Sequence, residues 1–356
     1  MFLRSLLLLS AAVVAGAAEP VPGTLFYQSS WPEASAVAVV GTPPRWVVVA
    51  DNETPVIALY PLEPPATKST SPARTAGTSP VYAVDDLEGC TVFPWDINGD
   101  GKPEKVYHVF TASCARTKKG KVVPDREALF AVFIDENSIE PGKGGAFPAS
   151  AEVEYNRTLR GQIRALGSER ASAPWGKILS ESVSVSAQKM DAQDAGLAGE
   201  NGLNIEGLTV SADGRSLMLG LRSPLVEGKA LLIPVNNPVA ALGLGESAPQ
   251  PVALGEPLML DLGGLGFRSI EWDAGKKVYL IAAGSADDAG VFRFYTWSGE
   301  MKDAPVPVTT PSAAAGVKIR PEGVTPFPGG KPAVVVGDNA NASFHKAMWV
   351  DFGGKK

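Results

Sequence analysis

The nine residues Asp96-Ile97-Asn98-Gly99-Asp100-Gly101-Lys102-Pro103-Glu104 carry the sharpest chemical signal in the chain. Oxygen-bearing side chains stand at the first, third, fifth and ninth places (Asp96, Asn98, Asp100, Glu104). Glycine stands at the sixth, and Lys102 at the seventh, where only a backbone carbonyl is needed. A hard cation such as Ca²⁺ selects this set, because it gathers several oxygen ligands from one sharply turned loop. The twelfth place holds Tyr107, where a helix–loop–helix calcium site has a bidentate acid, so an EF-hand is excluded. The competing reading is a tight polar turn that needs no metal.

A second acidic set is spread along the chain: Glu33, Glu88, Glu206, Glu271 and Glu322 each head a similar unit. In the clearest copy, Leu203 to Leu225, Glu206-Gly207 precedes a β-rich run, Asp213-Gly214 marks a turn, and a second apolar run reaches Leu221. Asp-Gly between two such runs is a strong hairpin signal, because glycine accepts the positive φ that the turn requires. The other copies read PEASAVAVVGTPPRWVVVADNE, LEGCTVFPWDINGDGKPEKVYHVFTAS, SIEWDAGKKVYLIAAGSADD and PEGVTPFPGGKPAVVVGDN.

The glutamates are separated by 55, 118, 65 and 51 residues. A four-stranded propeller blade takes roughly 40–50 residues, so these intervals fit blades with loop insertions, and the long one has room for a hidden blade. Further apolar runs at 127–134, 229–235 and 291–297 fall where third strands are needed. The pattern predicts an all-β chain forming a single β-propeller of five or six blades; a β-sandwich array is the competing architecture. In a propeller the innermost strands surround the central channel, so the five glutamates are expected to converge at one mouth. Clustered buried carboxylates repel one another and resist ionising unless cations compensate. Two compensations are open: a Ca²⁺ or Mg²⁺ ion, or ion pairs with Arg222, Arg268 and Arg320.

Met1 to Ala18 has one positive charge at Arg4, a short apolar run and a small-residue end. That is the pattern of a signal peptide rather than of a membrane span. The expected organisation is therefore a signal peptide at 1–18 and one propeller domain at 19–356, secreted or periplasmic. The formal charge of −6 disfavours nucleic acid as a partner. The short basic run Arg116, Lys118, Lys119, Lys121 reads as a solvated loop. Cys90 and Cys114 sit at the start and end of one predicted hairpin, and in an oxidising compartment they are expected to form a disulfide. Histidine occurs only at His108 and His345, which leaves almost no material for a zinc site or a His-based triad.

The Glu-Gly units, above all Asn204-Ile205-Glu206-Gly207-Leu208 followed by Leu219-Gly220-Leu221-Arg222-Ser223-Pro224, resemble a family of exported bacterial propellers of unknown function. They are more distantly similar to esterase-like phytase propellers, and the loop at Asp96 resembles integrin-type calcium loops, with Glu104 in place of the usual final Asp. The phytase resemblance implies that Glu206, Glu271 and Glu322 hold a cation beside a small anionic substrate, with Arg222 assisting; Glu88, from the same expected ring, is a further candidate substrate-binding residue. Glu271 is followed by Trp272 and Glu33 by Ala34, and both depart from that pattern. Two functions follow: a metal-dependent phosphoester or ester hydrolase at the channel mouth, or a non-catalytic monomeric module that binds a small molecule or protein, its ions purely structural.

Overall fold

Short apolar runs punctuated by Gly and Pro should give many strands and few helices, and the computed structural model has nineteen strands among its described residues. Those residues are 24–28, 33–52, 56–62, 77–80, 84–117, 119–135, 139, 153–185, 202–245, 248–285, 291–308, 320–327, 331–338 and 344–352. The predicted signal peptide lies outside them. The strands form five antiparallel sheets, or blades. After β1 (Thr24–Gln28), blade one is β2 (Ala34–Val40), β3 (Trp46–Asp51), β4 (Val56–Pro61) and β5 (Gly77–Pro80). Blade two is β6 (Leu87–Trp95), β7 (Lys105–Ala112) and β8 (Leu129–Phe133). Blade three is β9 (Asn204–Val210), β10 (Leu217–Ser223), β11 (Ala230–Val235) and β12 (Leu258–Leu260). Blade four is β13 (Gly266–Asp273), β14 (Val278–Gly284), β15 (Phe292–Trp297) and β16 (Val306–Val308). Blade five is β17 (Arg320–Phe327), β18 (Lys331–Asp338) and β19 (Phe344–Val350), completed by β1 pairing with β19. The first strand of the described residues thus closes the last blade and ties the two ends of the ring together.

The first strands β2, β6, β9, β13 and β17 touch one another in that order, and β17 touches β2. This is the closed ring of a five-bladed β-propeller. Because β6 and β9 are direct neighbours, no blade lies between them. The long interval instead carries α1 (Leu159–Glu169) and α2 (Gly176–Ser182). Leu159, Ile163, Trp175 and Leu179 of this helical segment bury against Ile205 and Leu219 of blade three and against Val109 and Leu129 of blade two.

Apolar side chains on both faces of each sheet pack between blades, so five clusters alternate with the five blades. Phe110 and Phe130 face Val48 and Leu59 of blade one, Phe267 and Ile281 face Leu232 of blade three, and Val334 and Val336 face Val47 and Val49. Close approach of the inner strands explains the glycine after the motif glutamate. A Cβ on Gly89 would stand 2.8 Å from Leu208 Cβ, one on Gly207 3.0 Å from Ile270 Cγ2, and one on Gly323 3.0 Å from the Val37 nitrogen. Each glycine meets the inner strand of the next blade. Gly89→Ala is therefore expected to lower stability by about 1 kcal/mol, the low end of the cost of overpacking, as read by urea unfolding; an unchanged midpoint would show that Leu208 and Thr111 yield freely.

Candidate functional site

Each inner strand carries a one-residue β-bulge at the same height, and the residues at those bulges form the site. The register skips Ser35 on β2, Glu88 on β6, Glu206 on β9, Arg268 on β13 and Glu322 on β17. A bulge leaves its residue out of the ladder and re-aims its side chain. The equivalent set is thus one serine, three glutamates and one arginine, rather than the five glutamates expected from the sequence. Glu33 stands two residues before the blade-one bulge, where its backbone N–H donates to Asp51 Oδ2 at 3.2 Å. Glu271 stands three residues beyond the blade-four bulge. Of the predicted set, the ring brings together Glu88, Glu206 and Glu322; it replaces Glu33 and Glu271 with Ser35 and Arg268.

Arg268 is the hub. Its Nη1 donates to both Glu322 oxygens at 2.6 Å and lies 3.4 Å from Glu206 Oε2, so blade four clamps blades three and five. Arg222, at a second bulge on β10, donates to Glu206 Oε1 at 3.0 Å, as does Asn204 Nδ2 at 2.9 Å. Ser35 Oγ reaches the Leu87 carbonyl of blade two at 2.5 Å. Beside Glu88, Asp86 accepts from Ser113 Oγ and pairs with Arg126 at 3.1 Å. Among the described residues, no hydrogen bond or ion pair holds the Glu88 carboxylate. Burial raises the Glu88 carboxyl well above its ordinary range, and the charges of Glu206, Asp86 and Glu322 raise it further, against the weaker pull of Arg268. Burial also raises Glu322, but there two guanidinium hydrogen bonds oppose it. The proton of the cluster therefore belongs first to Glu88, which has no such partner. Arg320 lies at the exposed start of β17.

Deeper along the channel, Thr91 of blade two donates to Glu271 Oε1 of blade four at 2.8 Å, a bond across the ring. Among the described residues Glu271 Oε2 has no hydrogen-bond partner, and burial raises this carboxyl well above its ordinary range.

The Asp96 loop joins β6 to β7 at the exposed end of blade two. Asp96 Oδ1 accepts from the Gly99 and Asp100 amides at 2.7 and 3.2 Å, and its Oδ2 from Gly101 at 2.7 Å. Asn98 Oδ1 accepts from Asp100, and Asp100 Oδ1 from Lys102, each at 2.8 Å. Glu104 accepts from the Ile97 amide at 2.6 Å and from Asn98 Nδ2. Gly99 and Gly101 supply the positive φ, +76° and +84°. One oxygen from each of Asp96, Asp100 and Glu104 lies within 4.8 Å of the others, the one such acidic group found among the described residues. This donor set, hard oxygens on a pre-turned loop, fits Ca²⁺.

Comparisons with known proteins add the following. A family model described as "Protein of unknown function (DUF3616)" matches residues 196–322. The match spans blades three and four and ends at Glu322, so it includes Glu206, Arg222 and Arg268. No curated protein matches the chain. The β-propeller domain of Myceliophteria thermophila Cps50 (Swd1) is similar to this chain at 11% identity and a TM-score of 0.37, covering 93% of this chain and all of that domain. The propeller assignment rests on the strand order and ring closure described above.

The expected disulfide does not form. Cys90 and Cys114 are both free and buried. The residue opposite Cys90 is Phe110, while Cys114 lies beyond Ala112, the partner of Leu87. The two thiols also face opposite sides of the blade: Cys90 packs with blade one, Cys114 with blade three and α1. Burial pushes both thiols up, Cys114 to about 12, so neither is a nucleophile at neutral pH. His108 is a buried packing residue. Its Nε2 is 3.0 Å from the Val39 carbonyl and burial lowers it to about 4, keeping it neutral. The side chain of His345 lies outside the described residues.

Proposed function

We propose that this is an exported, non-catalytic binding propeller whose recognition face is the bulge ring at the channel mouth, with a structural Ca²⁺ held by Asp96, Asn98, Asp100, the Lys102 carbonyl and Glu104. One observation carries the reading: the carboxylates that a hydrolytic metal would need are engaged by guanidinium groups, Glu322 by Arg268 at 2.6 Å and Glu206 by Arg222 at 3.0 Å. A Lewis-acid metal polarises a substrate oxygen through open coordination positions, and it would have to displace both arginines to find its ligands here. Propellers host enzymes and scaffolds alike, so the site must decide and not the fold. The calcium would tie the long β6–β7 turn to the outer end of blade two, well away from the ring.

Metal content of the purified protein tests this. We expect one calcium per chain, lost in the Asp96→Ala/Asp100→Ala double variant and retained in Glu206→Gln/Glu322→Gln. A second ion that only the glutamate variant loses would restore the metal-dependent hydrolase, and phosphoesters and lactones would then be the substrates to screen.

A further inference from the structure

The mouth of the propeller has one carboxylate more than its cations can neutralise. The acids that face one another there are Asp86, Glu88, Glu206 and Glu322, and the cations are Arg126, Arg222 and Arg268. Four negative groups against three positive ones leave one negative charge, and Asp85 beside Arg126 adds to it. The hydrogen bonds locate the excess. Glu322 and Glu206 are held by Arg268 and Arg222, and Asp86 by Arg126 and Ser113. Glu88, 8% exposed at its bulge, is held by nothing among the described residues.

Among the described residues two further acceptors in the same cluster lack a hydrogen-bond donor: Glu206 Oε2, which has only its 3.4 Å ion pair with Arg268, and Asn204 Oδ1. Buried oxygens without donors are costly, and two of them beside the unpaired Glu88 carboxylate describe the complement of a group that brings several N–H donors and a positive charge. Their number argues against a metal. A Ca²⁺ ion takes six or more oxygens, and Glu88, Glu206 and Glu322 are not among the acidic groups of the described residues whose ligand oxygens lie within 4.8 Å of one another; a primary ammonium has three N–H donors and is satisfied by three acceptors. An anion is served worse still, since each arginine at the mouth already holds a carboxylate. The cluster is not sealed, for the side chains of Asp86 and Arg222 each retain 14% exposure.

Building on the binding-propeller reading, we infer that the channel mouth is a receptor for a primary ammonium group, taken by Glu88 with Glu206 Oε2 and Asn204 Oδ1 as the flanking acceptors. The group is either a free alkylamine or polyamine, or the end of a lysine side chain on a partner protein. In both cases the ammonium replaces the proton that Glu88 otherwise holds, so binding strengthens as pH rises while the amine remains protonated.

The test is calorimetric titration of the full mature chain at pH 7.5 with n-butylammonium, with Nα-acetyl-lysine methylamide, and with tetramethylammonium, which carries the charge but no N–H. We expect saturable binding of butylammonium, at least tenfold weaker binding to Glu88→Gln, and none of tetramethylammonium. The Glu88→Gln variant removes a charge from an acidic cluster, so its thermal midpoint should equal or exceed that of the wild type, which separates lost binding from lost fold. Tighter binding of the lysine amide than of butylammonium would identify the protein source, and the reverse the free amine. Absence of butylammonium binding, equal binding to Glu88→Gln, or equal binding of tetramethylammonium would overturn the inference. Those failures leave the metal content untouched, whereas a second ion at the mouth would overturn the binding-propeller reading itself.

Discussion

Replacing Arg268 by methionine is expected to cost about 3–5 kcal/mol at pH 7, the range for removing one partner of a buried ion pair. The magnitude follows from what stays behind. Methionine fills much of the space of the arginine stem, but Glu322 and Glu206 lose their shared guanidinium and remain buried beside Glu88. Arg268 is 6% exposed, so solvent cannot take over its role. The loss should shrink on acidification, because Glu88 and Glu322, raised by burial and by neighbouring carboxylates, bind protons more readily in the folded variant than in the unfolded chain. Where the folded state binds more protons, stability falls as pH rises. The variant should therefore recover stability as pH is lowered from 7 towards the ordinary glutamate value of 4.5. Adding Glu322→Gln should restore more than half of the loss, since the two residues belong to one network and their effects do not add. Urea unfolding of the single and double variants at two pH values decides it. A cost below about 1 kcal/mol, independent of pH, would place the cluster with ordinary surface pairs and remove the case for a charged mouth.

All five blades were legible in the sequence, because each glutamate falls beside a turn-separated pair of β-rich runs and because the ring needs a repeated hairpin. What failed was the register within the repeat. The glutamate is not its fixed point, for blades one and four carry no glutamate at the bulge. A better ruler is the triplet apolar–bulge–small: Leu87-Glu88-Gly89, Ile205-Glu206-Gly207, Pro321-Glu322-Gly323, and with them Ala34-Ser35-Ala36 and Phe267-Arg268-Ser269. The small third residue is what the neighbouring inner strand demands, so it persists where the acid does not. Trp272 after Glu271 and Ala34 after Glu33 marked those two glutamates as misaligned. The long interval misled for another reason, since α1 and α2 cover the face between blades two and three with helices where spacing alone allowed a sixth blade. The cysteines fell foul of the bulge and of face alternation together: Cys90 lies three positions after Leu87, and the chain turns left-handed at Cys114, φ 56°, beyond the last pair of the ladder. Hydrogen-bond partners such as Thr91 for Glu271 join residues 180 apart, and local patterning carries no trace of them.

Glu271, displaced from the ring, has its own expected result: Glu271→Gln should stabilise the protein at pH 7 by about 1 kcal/mol or more, since a carboxyl held protonated above its ordinary range costs about 1.4 kcal/mol per pH unit, and should leave stability near pH 4 unchanged. The residue is 5% exposed, its carboxyl meets Thr91 through one oxygen, and the groups that oppose the effect of burial are Thr91 and the Trp272 backbone, with no cation among them. Burial therefore favours the protonated form. The unfolded chain releases this proton near the ordinary value of 4.5 and the folded chain only at higher pH, so between those points the folded state binds more protons and stability declines as pH rises. Glutamine reproduces the neutral carboxyl in shape, keeps an acceptor for Thr91 Oγ, and cannot ionise, so the decline should disappear. Thermal unfolding from pH 4 to pH 8 separates the outcomes. Parallel curves for wild type and variant would mean that Glu271 is ionised and compensated within the fold. Convergence only at low pH would mean that the propeller keeps a neutral acid bridging blades two and four beneath a charged mouth, two chemically distinct layers on one set of inner strands.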